Sequence, residues 1–432
     1  MERHKKPKKN VLVVCTTCRD RRELQTDTFQ QHYNIHFQNY DDSILDRILC
    51  KCLTNMPQAF VPADDLNHLL DFCKKNAIDG LFSTDDYPGS IYASILAHRL
   101  GLPGPTPQSV LTCQHKYYSR IAQKHIVPEA TPDFQLIDPQ KFSQSTFNLP
   151  FPAFIKPVKS YFSIMAEKIL DKTQLEKNIT QLLPPDLFLQ QLNWFLRNYS
   201  DFDLSGNYLI AENLLTGWQV TLEGFVYNKQ VIIMGIIDSI MYPGTYSFER
   251  FVYPSQLPQS AQQSMMEIAK RFILGIDLDN TFFNIEFMYN PEDGTQHIIE
   301  VNPRICSQFA DLYEKVDGYN SYQALVELAL GQRPEIKHRQ GKFNIAASFV
   351  LRRFNNKLAA KVPTEQDFFT FHHTFPEGRF EMHLQKGQYL DAIMQDGKSY
   401  RYGLIHLGAS DEQELFAKFE ASKKLLPFEF TD

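Results

Sequence analysis

From Val11 onward, short apolar runs alternate with stretches whose apolar residues recur at helical spacing. Val11–Val14, His36–Phe37 and Gly80–Ser83 read as strands. Between them, Asp65 to Ala77 carries Leu66, Leu69, Leu70 and Cys73 on one helical stripe, and Ile91–Leu100 is stopped by Gly101 and Pro103. That βαβ order predicts a small parallel sheet. From about residue 150 the period changes to two: Val220–Tyr227 and Val231–Ile236 flank Asn228-Lys229 as an antiparallel hairpin. Helices are expected at Ser260–Leu274, with Met265, Ile268, Ala269 and Phe272 in one stripe, and at Ser321–Leu330, ended by Gly331. The fold class is therefore α/β followed by α+β, with a last mixed segment from about residue 342 and a helix ending near Leu426.

At 432 residues, 43% of them hydrophobic and 22% charged, the chain has apolar material for a sizeable core, and its length suggests about three units. The formal charge of -6 argues against a general nucleic-acid binder, because neutralising a phosphate backbone needs a basic excess. The basic run at residues 4 to 9 reads as a solvated tail. No stretch reaches the roughly 20 apolar residues of a membrane span. Seven cysteines without an apolar leader point away from a disulfide framework and towards the cytoplasm. Cys15 and Cys18 form a lone C-x-x-C, read as packing thiols because no second ligand pair matches it. Cys15-Thr-Thr-Cys18 also stands where a dinucleotide-binding glycine motif would follow the first strand.

The most informative chemistry lies in Phe282–Tyr289 and His297–Arg304, two alternating strands joined by a turn with Pro291, Asp293 and Gly294. Alternation puts Phe283, Ile285 and Phe287, and on the second strand Ile299 and Val301, on one face. If Glu286 faces Glu300, then Asn284 must face Asn302, and both carboxylates share a face with both amides. Like charges directly opposite on a sheet destabilise it unless a cation lies between them. A hard divalent ion suits such oxygens, and magnesium usually takes one or two carboxylates and completes its shell with water and phosphates. The alternative is an exposed face with solvated glutamates. Lys156, alone in the apolar Ala153-Phe-Ile-Lys-Pro157, is either a buried cation needing an anion or a snorkelling surface lysine. Leu209–Leu215, before Gly217, reads as a strand ending at a tight bend; it could offer Glu212 to an adenine edge with Leu214 or Leu215 against its face, or be plain core.

Taken in order, Gln114-His-Lys-Tyr117, Phe154-Ile-Lys-Pro157, Ala211–Gly217, Val220–Phe225, Asn284-Ile-Glu-Phe287 and Ile299-Glu-Val-Asn-Pro-Arg304 resemble the ATP-grasp superfamily. The related proteins include carboxylate-amine and thiol ligases, biotin carboxylase and the ATP-binding domains of carbamoyl-phosphate synthase. The resemblance implies an ATP-grasp fold with a Rossmann-like N-terminal domain at 1–112 and an ATP-grasp domain at 113–335. Within the latter, a small nucleotide lobe would span about 150–215 and a metal lobe about 216–335; a C-terminal α+β segment would cover 336–432. It further implies Lys116 and Lys156 on ATP phosphates, Glu212 on the adenine amino group and Leu215, beside Leu214, against the purine. Glu223 would lie near the nucleotide, Glu286, Glu300 and Asn302 would hold magnesium, or manganese in its place, and Arg304 would stabilise the anionic intermediate. Two departures stand out. Lys159-Ser-Tyr-Phe-Ser163 replaces a glycine-rich phosphate loop, leaving Ser160 and Ser163 with backbone N–H groups for phosphate, and Ile305-Cys306-Ser307 replaces a glycine pair after Arg304.

The function implied is an ATP- and magnesium-dependent ligase that activates a carboxylate as an acyl phosphate for capture by an amine or similar nucleophile. The alternatives are bicarbonate activation in the manner of biotin carboxylase and a regulatory protein that binds ATP without turnover. Small-molecule substrates are the expected partners, with no nucleic acid and no membrane, and a homodimer is the base-rate assembly. The aromatic stretch Phe188–Phe202, with Trp194, reads as a substrate wall or as core or lid.

Overall fold

The computed structural model describes residues 7–38, 62–142, 147–160, 165–393 and 399–432. The N-terminal strands β1 (Lys9–Val13), β2 (Tyr33–Phe37) and β3 (Gly80–Phe82) form a parallel sheet in the order β2-β1-β3. The helix Gly89–Leu100 packs on it with every residue from Gly89 to Ala97 buried, so its apolar character runs round the cylinder instead of along one stripe. It ends at Gly101 in the left-handed conformation (φ 67°), whose N–H caps the last turn.

A second sheet comprises β4 (Phe134–Ile137), β5 (Ala153–Pro157), β6 (Glu167–Ile169) and β7 (Leu209–Asn213), ordered β4-β7-β5-β6. Its core is Ile137, Ala153, Ile155, Ile169, Leu209 and Ala211 under Leu175 and Ile179. The chain then bends at Gly217 (φ 130°), where a Cβ would lie 2.1 Å from the carbonyl oxygen of Tyr289; only glycine permits that approach.

β8 (Trp218–Tyr227) and β9 (Gln230–Met241) form the expected hairpin, and Asn228 and Lys229 both take positive φ, as a two-residue turn between twisted strands requires. β10 (Phe248–Tyr253), β11 (Thr281–Tyr289) and β12 (Gln296–Asn302) extend it. The last region adds β13 (Ile345–Arg353), β14 (Leu358–Lys361), β15 (Arg379–Met382), β16 (Tyr400–Ala409) and β17 (Glu429–Thr431). Among the described residues the large sheet has the order β12-β11-β8-β9-β10-β13-β16-β15, so strands on both sides of residue 336 share it. The helix Gln259–Gly275 covers one face through Met265, Ile268, Ala269, Phe272 and Ile273, which join Phe283, Ile285, Phe287, Ile298 and Val301 in the main core.

The aromatic stretch resolves as core. Phe188 and Phe195, on the helix Asp186–Tyr199, are fully buried with ring centroids 4.8 Å from Tyr87 and 5.2 Å from Tyr92. Trp194 packs at the edge of the same cluster. These contacts join that helix to the N-terminal layer. No helix among the described residues is long and apolar enough to cross a membrane.

Candidate active site

The acidic hairpin pairs in the expected register: Glu286 opposite Glu300 and Asn284 opposite Asn302. One detail differs. The ladder slips after Glu286, so Phe287 pairs with Ile298 and Ile299 has no partner. Ile298, not Ile299, therefore joins Val301 in the core, because a one-residue bulge reverses which side chains face inward. The bulge also releases the Ile299 carbonyl, which accepts a 2.8 Å hydrogen bond from the Arg120 guanidinium.

β8 completes this polar face, with Thr221 beside Glu286 and Glu223 beside Asn284. Gln219 donates its amide to Glu286 at 2.9 Å. Burial, and then the facing Glu300, push the Glu286 carboxyl up to about 7. For Glu300 the opposite holds: burial alone would raise it, but Lys116, then Lys159, outweigh that and hold it below the usual carboxylate range. Lys116 Nζ lies 2.7 Å from Glu300 Oε1 and also donates to the carbonyl of Ser160 at 3.2 Å. Lys116 opens the helix Lys116–Ile126, and its backbone N–H donates to Val158 at 2.7 Å, which fastens the helix start to the end of β5.

Lys156 is buried, not snorkelling: its Nζ sits 2.8 Å from Glu212 Oε2, while Arg120 Nε holds Glu212 Oε1 at 2.8 Å. Strand pairing explains the meeting, since Lys156 on β5 and Glu212 on β7 lie on adjacent central strands and Arg120 follows Lys116 by one helical turn. Burial alone would raise Glu212; Arg120 and then Lys156 outweigh it and bring its carboxyl down to about 2. Leu214 and Leu215 are half-buried just beyond β7. Ser160 is buried, and Ser163 lies outside the described residues.

Glu223 occupies a different position from the other acids. It is fully buried and accepts from the backbone N–H of Cys306 at 2.5 Å and from the Asn284 amide at 3.3 Å; its Oε2 has no hydrogen-bond partner among the described residues. Burial pushes its carboxyl up to about 7. It thus grips the turn that carries Arg304.

Three charged groups that no motif singled out complete the site: Arg120, Lys159 and Asp86. Spacing four residues after Lys116 was a usable signal for Arg120, and Lys159 heads the segment that replaces the glycine-rich loop; Asp86 carried none. Asp86 comes from the loop after β3 and binds Lys159 at 2.6 Å, with Arg304 Nε at 3.5 Å. Among the described residues no group of three or more His, Cys, Asp or Glu side chains is arranged to hold a metal. Two carboxylates and an amide are a smaller donor set. Cys15 is buried and Cys18 is exposed.

The small sheet thus brings Lys156 and Glu212, and the large sheet Glu286 and Glu300, to one site that Lys116 joins from its helix. Residues 149–312 match the family model of the ATP-grasp domain. The chain is similar over 99% of its length, and 100% of the other chain, to an L-amino acid ligase from Bacillus licheniformis (TM-score 0.76, 15% identity). It is also similar to a phosphoribosylglycinamide synthetase from Anaerococcus prevotii (0.64, 11% identity, 98% and 100% covered). A third likeness is to the biotin carboxylase domain of the Hydrogenobacter thermophilus 2-oxoglutarate carboxylase, a dimer solved with MgADP and bicarbonate (0.65, 14% identity, 98% and 91% covered).

Proposed function

We propose that the chain joins a carboxylate to an amine or similar nucleophile, activating the carboxylate with ATP as an acyl phosphate. The observation that carries this is the convergence of cations on the acidic face: Lys116 pairs with Glu300, and Arg304, Lys116 and Lys156 all lie near enough to act on Glu286. Carboxylate attack on ATP brings anions together, so fixed cations are what the reaction requires of the protein.

Glu286, Glu300 and Asn302 supply hard oxygen donors on one face, which fits magnesium, or manganese, with phosphates completing the shell. When bound, the ion would draw charge from the phosphate oxygens. Lys116 and Lys156 would hold phosphates, and the Ser160 and Ser163 hydroxyls would donate to them. Glu212 would take the adenine amino group, and Leu214 and Leu215 would lie against the purine. A donor carboxylate oxygen attacks the γ-phosphorus as the bond to the ADP oxygen breaks. The nucleophile then attacks the acyl carbon, loses its proton and expels phosphate. Arg304 would hold the negative charge through both steps. Glu223 would lie near the nucleotide and support the turn that carries Arg304 through the Cys306 backbone.

ADP release with magnesium and ATP, measured against pooled amino acids, other carboxylic acids and bicarbonate, tests the proposal in wild type and Glu300→Gln. Release that needs an organic acid and vanishes in the variant is expected. Release with bicarbonate alone would assign a carboxylase-like activity, and ATP binding without release in any pool would assign a regulatory binder.

A further inference from the structure

Asp86 is an anion in a site built to collect anions. Its Oδ2 is taken by Lys159 at 2.6 Å, but among the described residues Oδ1 has only long contacts, Gln114 Nε2 at 3.3 Å and Arg304 Nε at 3.5 Å. Arg304 is equally under-used: besides Asp86, its guanidinium makes one 3.4 Å contact, to the Ile305 carbonyl, among the described residues. Both side chains keep some exposure, 14% for Asp86 and 19% for Arg304. A guanidinium offers five donors in a fixed fork, and a carboxylate oxygen has two lone pairs. The pair therefore presents a cationic fork with donors to spare beside an anionic oxygen held only by long contacts among the described residues.

Charge explains why that combination calls for a particular ligand. Once phosphates enter, Lys159 has anions of its own and Asp86 is not needed to neutralise it. An unmatched carboxylate there would repel both the γ-phosphate and a donor carboxylate, and in a partly buried site such repulsion is large. It is compensated if the donor brings a cation next to its own carboxylate. In an α-amino acid the ammonium nitrogen lies about 3 Å from the carboxylate oxygens, as the N–Cα, Cα–C and C–O bond lengths require. That matches the 3.5 Å between Arg304 and Asp86.

We infer that the donor substrate is an α-amino acid whose carboxylate faces Arg304 and whose ammonium is held by Asp86 Oδ1. The inference rests on the ligase reading and adds the substrate class and its specificity-determining residue. Asp86 comes from the loop after β3 and Arg304 from the turn after β12, so the N-terminal layer and the large sheet both contribute to the seat.

The test uses matched donors with and without the amino group: L-alanine and propanoate, L-leucine and 4-methylpentanoate, L-phenylalanine and 3-phenylpropanoate. Hydroxylamine serves as the nucleophile, and ADP and hydroxamate are read together. Wild type should favour an amino acid over its partner by about 100-fold or more in kcat/KM, because a site built to bind a polar group rejects analogues that lack it. Asp86→Asn, an isosteric change, should narrow that ratio at least about tenfold by lowering the amino-acid arm far more than the other. Equal use of both donors by wild type overturns the ammonium seat and leaves the ligase reading standing; this arm needs no variant. Equal proportional loss in both arms of Asp86→Asn also overturns it and reduces Asp86 to a partner of Lys159. Calorimetric binding of one of these amino acids to the protein loaded with magnesium and a non-hydrolysable ATP analogue, without ADP release from ATP, would keep the seat and remove the ligase reading. Neither binding nor turnover of any of the three amino acids sinks the seat.

Discussion

Replacing Glu223 with Gln should make the protein more stable above neutral pH and leave it unchanged in acid. The carboxylate is fully buried; one oxygen accepts from Cys306 and Asn284, and the Tyr313 hydroxyl and the Arg304 charge offset the burial only in part, so ionisation leaves a charge poorly solvated. Folding moves its carboxyl from 4.5 to about 7, burial being the main cause. Between those values the folded state binds the proton more tightly than the unfolded state, so unfolding free energy falls as pH rises through the window and levels off above about 7. At about 1.4 kcal/mol per pH unit the full penalty is about 3 kcal/mol. Gln keeps the shape and the acceptor for the Cys306 N–H but cannot ionise. Urea unfolding of both proteins from pH 4 to pH 8.5 gives the difference directly, and any titration of Glu286 is common to both and cancels. The variant's advantage should be near zero at pH 4 and approach about 3 kcal/mol at pH 8. Parallel curves across that range would show that Glu223 is solvated or paired, and would refute its burial as the cause.

Arg304→Ala should lower turnover about a hundredfold or more, the usual effect of removing one preorganised charge from a transition state. Its long contacts predict an unchanged unfolding midpoint, and wild-type ADP release in the variant would remove Arg304 from the mechanism. Glu300→Gln should abolish magnesium-dependent ADP release, as should chelation of the metal from wild type; release that survives excess chelator would reject the assignment of Glu286, Glu300 and Asn302. Arg120→Met should destabilise by about 3–5 kcal/mol in urea unfolding, because it leaves Glu212 with one cation and the Ile299 carbonyl with none. A loss below about 1 kcal/mol would mean the triad is solvated.

The acidic hairpin was legible because two constraints act together. Period-two alternation assigns faces, and an antiparallel register that places Glu286 opposite Glu300 also fixes Asn284 opposite Asn302. The bulge at Ile299 was not legible, since nothing local distinguishes Ile298 from Ile299; the slip is set by the partner strand and by Arg120, which takes the freed carbonyl. Lys156 was ambiguous for the same kind of reason. Its own segment shows an apolar context, and only the arrival of Glu212 from β7 decides that it is buried and paired. Asp86 and Lys159 lie 73 residues apart and meet only after the N-terminal layer docks. The strand order β10-β13-β16 is likewise a long-range outcome, so the last region's share in the large sheet carried no sequence signal.

The charges of the cleft are held in pairs: Lys156 and Arg120 on Glu212, Lys116 on Glu300, and Lys159 on Asp86. Among the described residues Glu286 is hydrogen-bonded only by the neutral amide of Gln219, and Arg304 has only long contacts. In a partly buried cleft a charge cannot be stripped of its partner without another of the same sign taking its place. On the proposed reading each ligand does this for one pair. Phosphates relieve Lys156 and Lys116, the metal relieves Glu300 and matches Glu286, and an ammonium relieves the Asp86 that phosphate has separated from Lys159. Each exchange exposes a charge that the next ligand satisfies. Metal, nucleotide and donor should therefore bind with positive coupling, and the donor's affinity should rise when the nucleotide analogue and magnesium are both present.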